Sequence, residues 1–135
     1  MLRFRVRYLA LALVTIIVGL LVHTRGAALG PVTRDVMGDA LWAAMIAWLV
    51  SALAPGARLV RRIIAAYLVC ATVEFSQLYH TPALDAVRAT FVGHLILGSG
   101  FDTRDLAAYA LGISLAALLE IRVFKRGSVT VARLH

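Results

Sequence analysis

Asp39, Glu74, Gln77, Arg88, Asp102, Asp105 and Tyr109 are the residues in this sequence whose types and spacing could do chemistry. Glu74 and Gln77 stand three apart, so on a helix they share one face. Toward the N-terminus that face takes in Cys70 and Tyr67. Asp102, Asp105, Tyr109 and Gly112 repeat the same +3, +4, +3 spacing. Carboxylates in such stripes can act as acid/base groups or as hydrogen-bond acceptors. Arg88 adds a planar fork that binds carboxylate or phosphate in bidentate fashion, with Arg104 as a second cation nearby.

Three chemistries fit this set. In the first, Arg88 engages an anionic lipid or phosphate group at a polar pocket made with the carboxylates. In the second, two of Glu74, Asp102 and Asp105 serve a small membrane hydrolase or transferase, which needs one carboxyl with a raised pKa beside the substrate. In the third, the stripes only pack helices in a subunit of a membrane complex, and Arg88 pairs with Glu74 or an Asp to hold a loop. A metal site from Asp39, Glu74, Asp102, Asp105 and His94 would suit a hard cation. No ligand spacing supports it, and neither metal nor cofactor is expected. Ser76 and Ser99 sit in no nucleophile motif.

The elements that must position these residues are apolar. Hydrophobic residues make up 61% of the 135-residue chain, and the mean hydropathy is +0.87. That exceeds the usual apolar fraction of about 45–50% and what a small soluble domain can bury. A bilayer solvates the excess. Apolar runs at Tyr8–Val22, Ala40–Ala54, Ile63–Leu78 and Leu106–Leu119 predict an all-α membrane protein with four transmembrane helices, spanning about 7–23, 39–54, 62–78 and 104–121. Ala83–Leu97 is too short to span and predicts an interfacial or re-entrant helix before the last span. Residues 1–126 form one domain, and 127–135 are expected to be a mobile cytoplasmic tail. His23–Gly38 reads as a loop, with Asp39 as the N-cap of the second helix. The basic start before an apolar run also fits a signal peptide. Because further apolar segments follow, a retained first span is preferred.

The net charge of +7 does not indicate nucleic acid, since no basic helix or aromatic–basic interleaving accompanies it. Basic residues flanking spans point to membrane lipids instead. With both termini cytoplasmic, the inner side holds ten of the 14 basic residues, and six of the seven acidic residues lie at the outer end. The cluster around Glu74 then faces outward. Cys70, the one cysteine, reads as a small buried side chain. Oligomeric state is not legible.

Gly38-Asp39-Ala40-Leu41-Trp42, Val73-Glu74-Phe75-Ser76-Gln77-Leu78-Tyr79, Leu84-Asp85-Ala86-Val87-Arg88-Ala89-Thr90, Gly98-Ser99-Gly100-Phe101 and Asp105–Gly112 follow in order. This series resembles a bacterial family of small membrane proteins of unknown function, similar in turn to the VanZ-like proteins. The likeness runs from about Tyr8 to Glu120. Asp39, Glu74 with Gln77, Arg88 and Asp105 match the VanZ-like pattern of acidic, Glu-x-x-Gln, Arg and Asp residues. Ala40 and Trp42 replace the Lys and His often found after the first Asp, and Tyr109 replaces a frequent Asn. The resemblance implies a cell-envelope, inner-membrane location. Combined with the cluster beside Arg88, it leads to an expected ligand: an anionic envelope lipid or a lipid-linked cell-wall precursor.

Overall fold

Gly30 and Pro31 set the first junction of the chain, and they do so as a helix boundary rather than inside a loop. In the computed structural model, which describes residues 1–98 and 100–131, helix α1 runs through Leu2–Arg25 and a 3-10 turn follows at Gly26–Leu29. Gly30 takes φ +78°, a conformation open to glycine, and Pro31 occupies the first turn of α2, Pro31–Leu53. Proline suits that position because its fixed φ is helical and its missing N–H would be unused there. The expected loop over His23–Gly38 is therefore mostly helix. Asp39 is not a cap; it lies two turns inside α2.

The remaining elements are α3 (Leu59–Ser76), α4 (Pro82–Arg88), α5 (Phe91–Leu97) and α6 (Thr103–Val131). Where one short helix was expected, two are found. Thr81 caps α4 by accepting the Leu84 N–H, and Thr90 caps α5 by accepting the Gly93 N–H. The corner between them is tight, because a Cβ on Gly93 would lie 1.8 Å from the Val87 carbonyl oxygen. Helix α6 continues through Val131, past the point where a tail was expected to begin. The rest of that tail, residues 132–135, and Ser99 lie outside the described residues.

The described residues are all helical or connecting, with no strand. Three stretches are long and apolar enough to cross a membrane: Leu2–Leu29, Pro31–Leu53 and Thr103–Val123. This fits a membrane protein. The 18 residues of α3 would span about 27 Å, near the roughly 30 Å of a hydrocarbon core. What sets α3 apart is that Arg61, Arg62 and Glu74 all fall within its 18 residues, whereas the longer helices each leave a stretch of that length with two or fewer charges.

Helix α2 is the hub and packs against α1, α3 and α6. Its inward residues are small: Ala43, Ala47, Ser51 and Ala52, with Trp48 among them. Facing them are Ala66 and Cys70 of α3, and Ala108, Tyr109, Ile113 and Ala116 of α6. Small residues let helices approach where lipid removes the hydrophobic drive between them. The closest approach is at Gly112, where a Cβ would lie 1.9 Å from the Ala40 carbonyl oxygen. Outward positions such as Leu13, Ile17, Ile64, Leu68, Leu111, Leu115 and Leu118 are apolar and exposed.

Gly112→Val is expected to destabilise the fold by about 1–3 kcal/mol or more, because the added carbons must push α2 and α6 apart. Gly38→Ala, at an α2 glycine with open space around it, is expected to be neutral or slightly stabilising. Denaturant titration in micelles compares the two. Equal stabilities would contradict the close α2–α6 contact.

Candidate functional site

Glu74 is fully buried, at 0% exposure, near the C-terminal end of α3. A buried carboxyl must find donors, and three are present. Its Oε1 accepts the Asp102 backbone N–H at 2.7 Å. Its Oε2 accepts the Tyr109 hydroxyl at 2.7 Å and the Gln77 amide at 3.4 Å. Glu74 thus fastens the end of α3 to the start of α6. Gly98, at φ +65°, presses on the Gln77 amide, where a Cβ would meet Nε2 at 2.3 Å. The Gln77 amide oxygen is buried without a partner, as is the Trp42 indole N–H, whose ring lies 5.5 Å from that of Tyr109.

Asp102 plays two parts. Its backbone donates to Glu74, while its carboxylate caps α6 by accepting the Arg104 N–H at 2.9 Å and the Arg104 Nε–H at 2.8 Å. These bonds hold the Asp102 carboxyl below the usual carboxylate range. Asp39 of α2 and Asp105 of α6 lie within hydrogen-bonding reach of each other, beside Glu74. Among the described residues neither forms an ion pair. The two stripes read from the sequence therefore converge, and six of the seven candidate residues gather where α2, α3 and α6 meet.

Arg88 is the exception. It was expected to partner the carboxylates of this cluster, and it does not reach Glu74. Its side chain, 5% exposed, bonds the Ser76 carbonyl at 2.7 Å, the Tyr79 carbonyl at 2.9 Å and Asp85 Oδ1 at 3.3 Å. The reason is geometric. Helix α3 ends at Ser76, and α4 folds back so that the guanidinium meets the Ser76 carbonyl, which also accepts the Tyr79 N–H, and the Tyr79 carbonyl just beyond it, where the dipole also favours a cation. Its Nε is buried without a partner.

His80 Nδ1 sits 3.1 Å from the same Asp85 oxygen. His80, Asp85, Arg88, Ala89, Thr90, Phe91 and His94 line an open groove of about 730 Å³. Val87, Phe91, Val92 and Ile96 of the two short helices are exposed.

A second ionic cluster went unnoticed in the sequence. At the opposite end of α3, Arg62 Nη2 bonds Glu120 Oε1 of α6 at 2.6 Å, and Nη1 bonds Glu120 Oε2 at 3.2 Å. The Tyr8 hydroxyl of α1 donates to Glu120 at 2.9 Å and accepts from Arg62 at 3.0 Å. The fork is bidentate and the pair is buried. Two signals pointed here. Arg62, Ala66, Cys70 and Glu74 recur every four residues along one α3 face, and Glu120 is the lone acid among the basic residues at its end of the chain.

No group of three or more His, Cys, Asp or Glu side chains among the described residues could hold a metal ion. The Glu74 cluster can accept hydrogen bonds and fix helices.

Tyr109→Phe is expected to cost about 1–2 kcal/mol, since it strips a 2.7 Å donor from a buried carboxyl. Tyr67→Phe removes only a 3.5 Å contact to the Leu106 carbonyl and should cost clearly less. Paired unfolding curves check the difference. A Tyr67→Phe loss as large as that of Tyr109→Phe would contradict the role given to Glu74.

No solved structure matches this chain. The family described as "Protein of unknown function (DUF2809)" matches residues 28–113, a stretch from the 3-10 turn through the first turns of α6 that holds Asp39, Glu74, Gln77, Arg88, Asp102, Asp105 and Tyr109. The chain therefore belongs to this uncharacterised family, DUF2809.

Proposed function

We propose that this is a four-span inner-membrane protein that holds the headgroup of an anionic envelope lipid, or of a lipid-linked precursor, in the groove beside α4 and α5. The observation that carries this is the groove itself. It is about 730 Å³, within the roughly 300–1,000 Å³ range of ligand pockets. It lies beyond the C-terminal end of α3, next to exposed Phe91 and Val92. Such a polar hollow with an apolar margin suits a molecule that has both a headgroup and chains.

Helix α3 is the fourth span in this reading. Its exposed residues Val60, Ile64, Leu68, Val69 and Phe75 are apolar, exposed Arg61 lies in the first turn, the exposed Thr72 hydroxyl bonds the Leu68 carbonyl, and Arg62 and Glu74 are satisfied inside the bundle. Helices α4 and α5 lie in the interface with Val87, Phe91, Val92 and Ile96 toward the acyl chains. The excess of basic residues at the other end supports cytoplasmic termini and an outward-facing groove. The resemblance to VanZ-like proteins supports an envelope location.

A second reading, a structural subunit, is favoured by one observation: both oxygens of fully buried Glu74 are engaged by groups that fasten α3 to α6. In that case, filling the groove would change nothing.

The test is a bulky residue in the groove at Ala89, which is exposed and outside the helix bundle. Ala89→Trp is expected to lower co-purifying lipid several-fold, measured by native mass spectrometry, with an unchanged melting temperature. Unaltered lipid content would favour the structural reading.

A further inference from the structure

We propose that the group recognised in this groove is a phosphate, held by His80, Arg88 and His94. The inference rests on the reading of the groove as a lipid site and adds the chemistry of the ligand.

The charge balance of the lining comes first. Asp85 is the one carboxylate among the lining residues, and a single oxygen of it is shared by Arg88 and His80. Against it stand a guanidinium, which is always charged, and two imidazoles. Glu74, Asp39 and Asp105 belong to the helix bundle and do not line the groove. An ammonium ligand would find one remaining carboxylate oxygen, Asp85 Oδ2, beside the Arg88 guanidinium that repels it, whereas an anion would find several N–H donors.

The donors come next. Arg88 is 95% buried, and both terminal nitrogens are committed to Ser76, Tyr79 and Asp85. Its Nε–H has no acceptor. A buried charged N–H without an acceptor is costly; this one is enclosed beneath the groove lining, and a ligand oxygen that reached it from the groove would end the cost. The Thr90 hydroxyl is not available, since it donates to the Val87 carbonyl and accepts the Gly93 N–H. The partly exposed imidazoles of His80 and His94 supply the remaining donors. Phosphate presents several acceptor oxygens around one centre and can serve all three side chains at once. The same chemistry could come from a lipid headgroup or from free phosphate.

The full-length protein is exchanged into micelles containing phosphatidylglycerol or, as the phosphate-free control, diacylglycerol. Retained lipid is read by native mass spectrometry. Wild type is expected to retain phosphatidylglycerol and not diacylglycerol. His80→Ala/His94→Ala is expected to retain at least ten-fold less phosphatidylglycerol with an unchanged melting temperature. A further arm adds inorganic phosphate. Competition would identify the phosphate alone as sufficient, and its lack would identify the intact headgroup as the source; both outcomes support the assignment. Equal retention by wild type and the double variant, or retention of diacylglycerol as strong as that of phosphatidylglycerol, would overturn it. If Ala89→Trp lowers bound lipid while the histidine variant does not, the groove still holds lipid and the phosphate assignment alone fails. If neither variant lowers it, both fail.

Discussion

Two of the three charges on α3, Arg62 and Glu74, must be consumed inside the bundle, and most of the architecture follows from how this is done. Arg62 and Glu74 sit on one face, about 18 Å apart along the helix axis. Each is costly to bury alone, and leaving either unpaired would be strongly destabilising. Arg62 is taken up by Glu120 and Tyr8, and Glu74 by Tyr109, Gln77 and the Asp102 backbone. The two attachments fix α6 against α3 at both ends, so register along that contact is set by polar geometry rather than by side-chain volume. They leave the middle of α3's outer surface, at Ile64, Leu68 and Val69, apolar. A buried ion pair is weak evidence for added stability; here its clearest consequence is specificity of helix placement.

This arrangement divides labour among the polar residues. Glu74, Gln77, Asp102 and Tyr109 hold helices together, with Asp39 and Asp105 meeting beside them. The residues open to a ligand are one turn further out, on α4 and α5. Arg88 connects the two groups, because it caps the end of α3 while lining the groove. The family match covers residues 28–113, which includes the Glu74 attachment and Arg62 but neither Tyr8 nor Glu120. The end of α3 that carries the candidate site is thus the end whose partners all fall inside the matched region.

The helical class and the approximate positions of the long helices were legible in the sequence because apolar runs state themselves. So were the stripes through Glu74 and Tyr109, since spacings of three and four survive into any helix. Gly30-Pro31 misled because the same residues that break a helix also begin one, which turned Asp39 from a cap into an interior residue. The pairing of Arg88 with an Asp was legible, and Asp85 meets it; its bonds to the Ser76 and Tyr79 carbonyls were not, because no residue pattern records which backbone carbonyls a side chain will reach. The Arg62–Glu120–Tyr8 cluster was hidden by its setting. Arginines beside a span read as membrane-flanking charge, and only the three-dimensional contact distinguishes one that turns inward. Two short helices appeared in place of one because Thr90 and Gly93 make a corner that composition alone does not announce.

In the proposed four-span reading, α3 crosses the membrane despite its three charges, with Arg62 and Glu74 satisfied internally. Spin labels at Leu68, on the exposed face of α3, and at Leu115, on the exposed face of α6, test it directly in a reconstituted bilayer. The expected result is the same for both sites: high collision with oxygen and low collision with a water-soluble relaxation agent. A label at Leu68 that meets the water-soluble agent as freely as one on an aqueous surface, while Leu115 stays protected, would contradict the account.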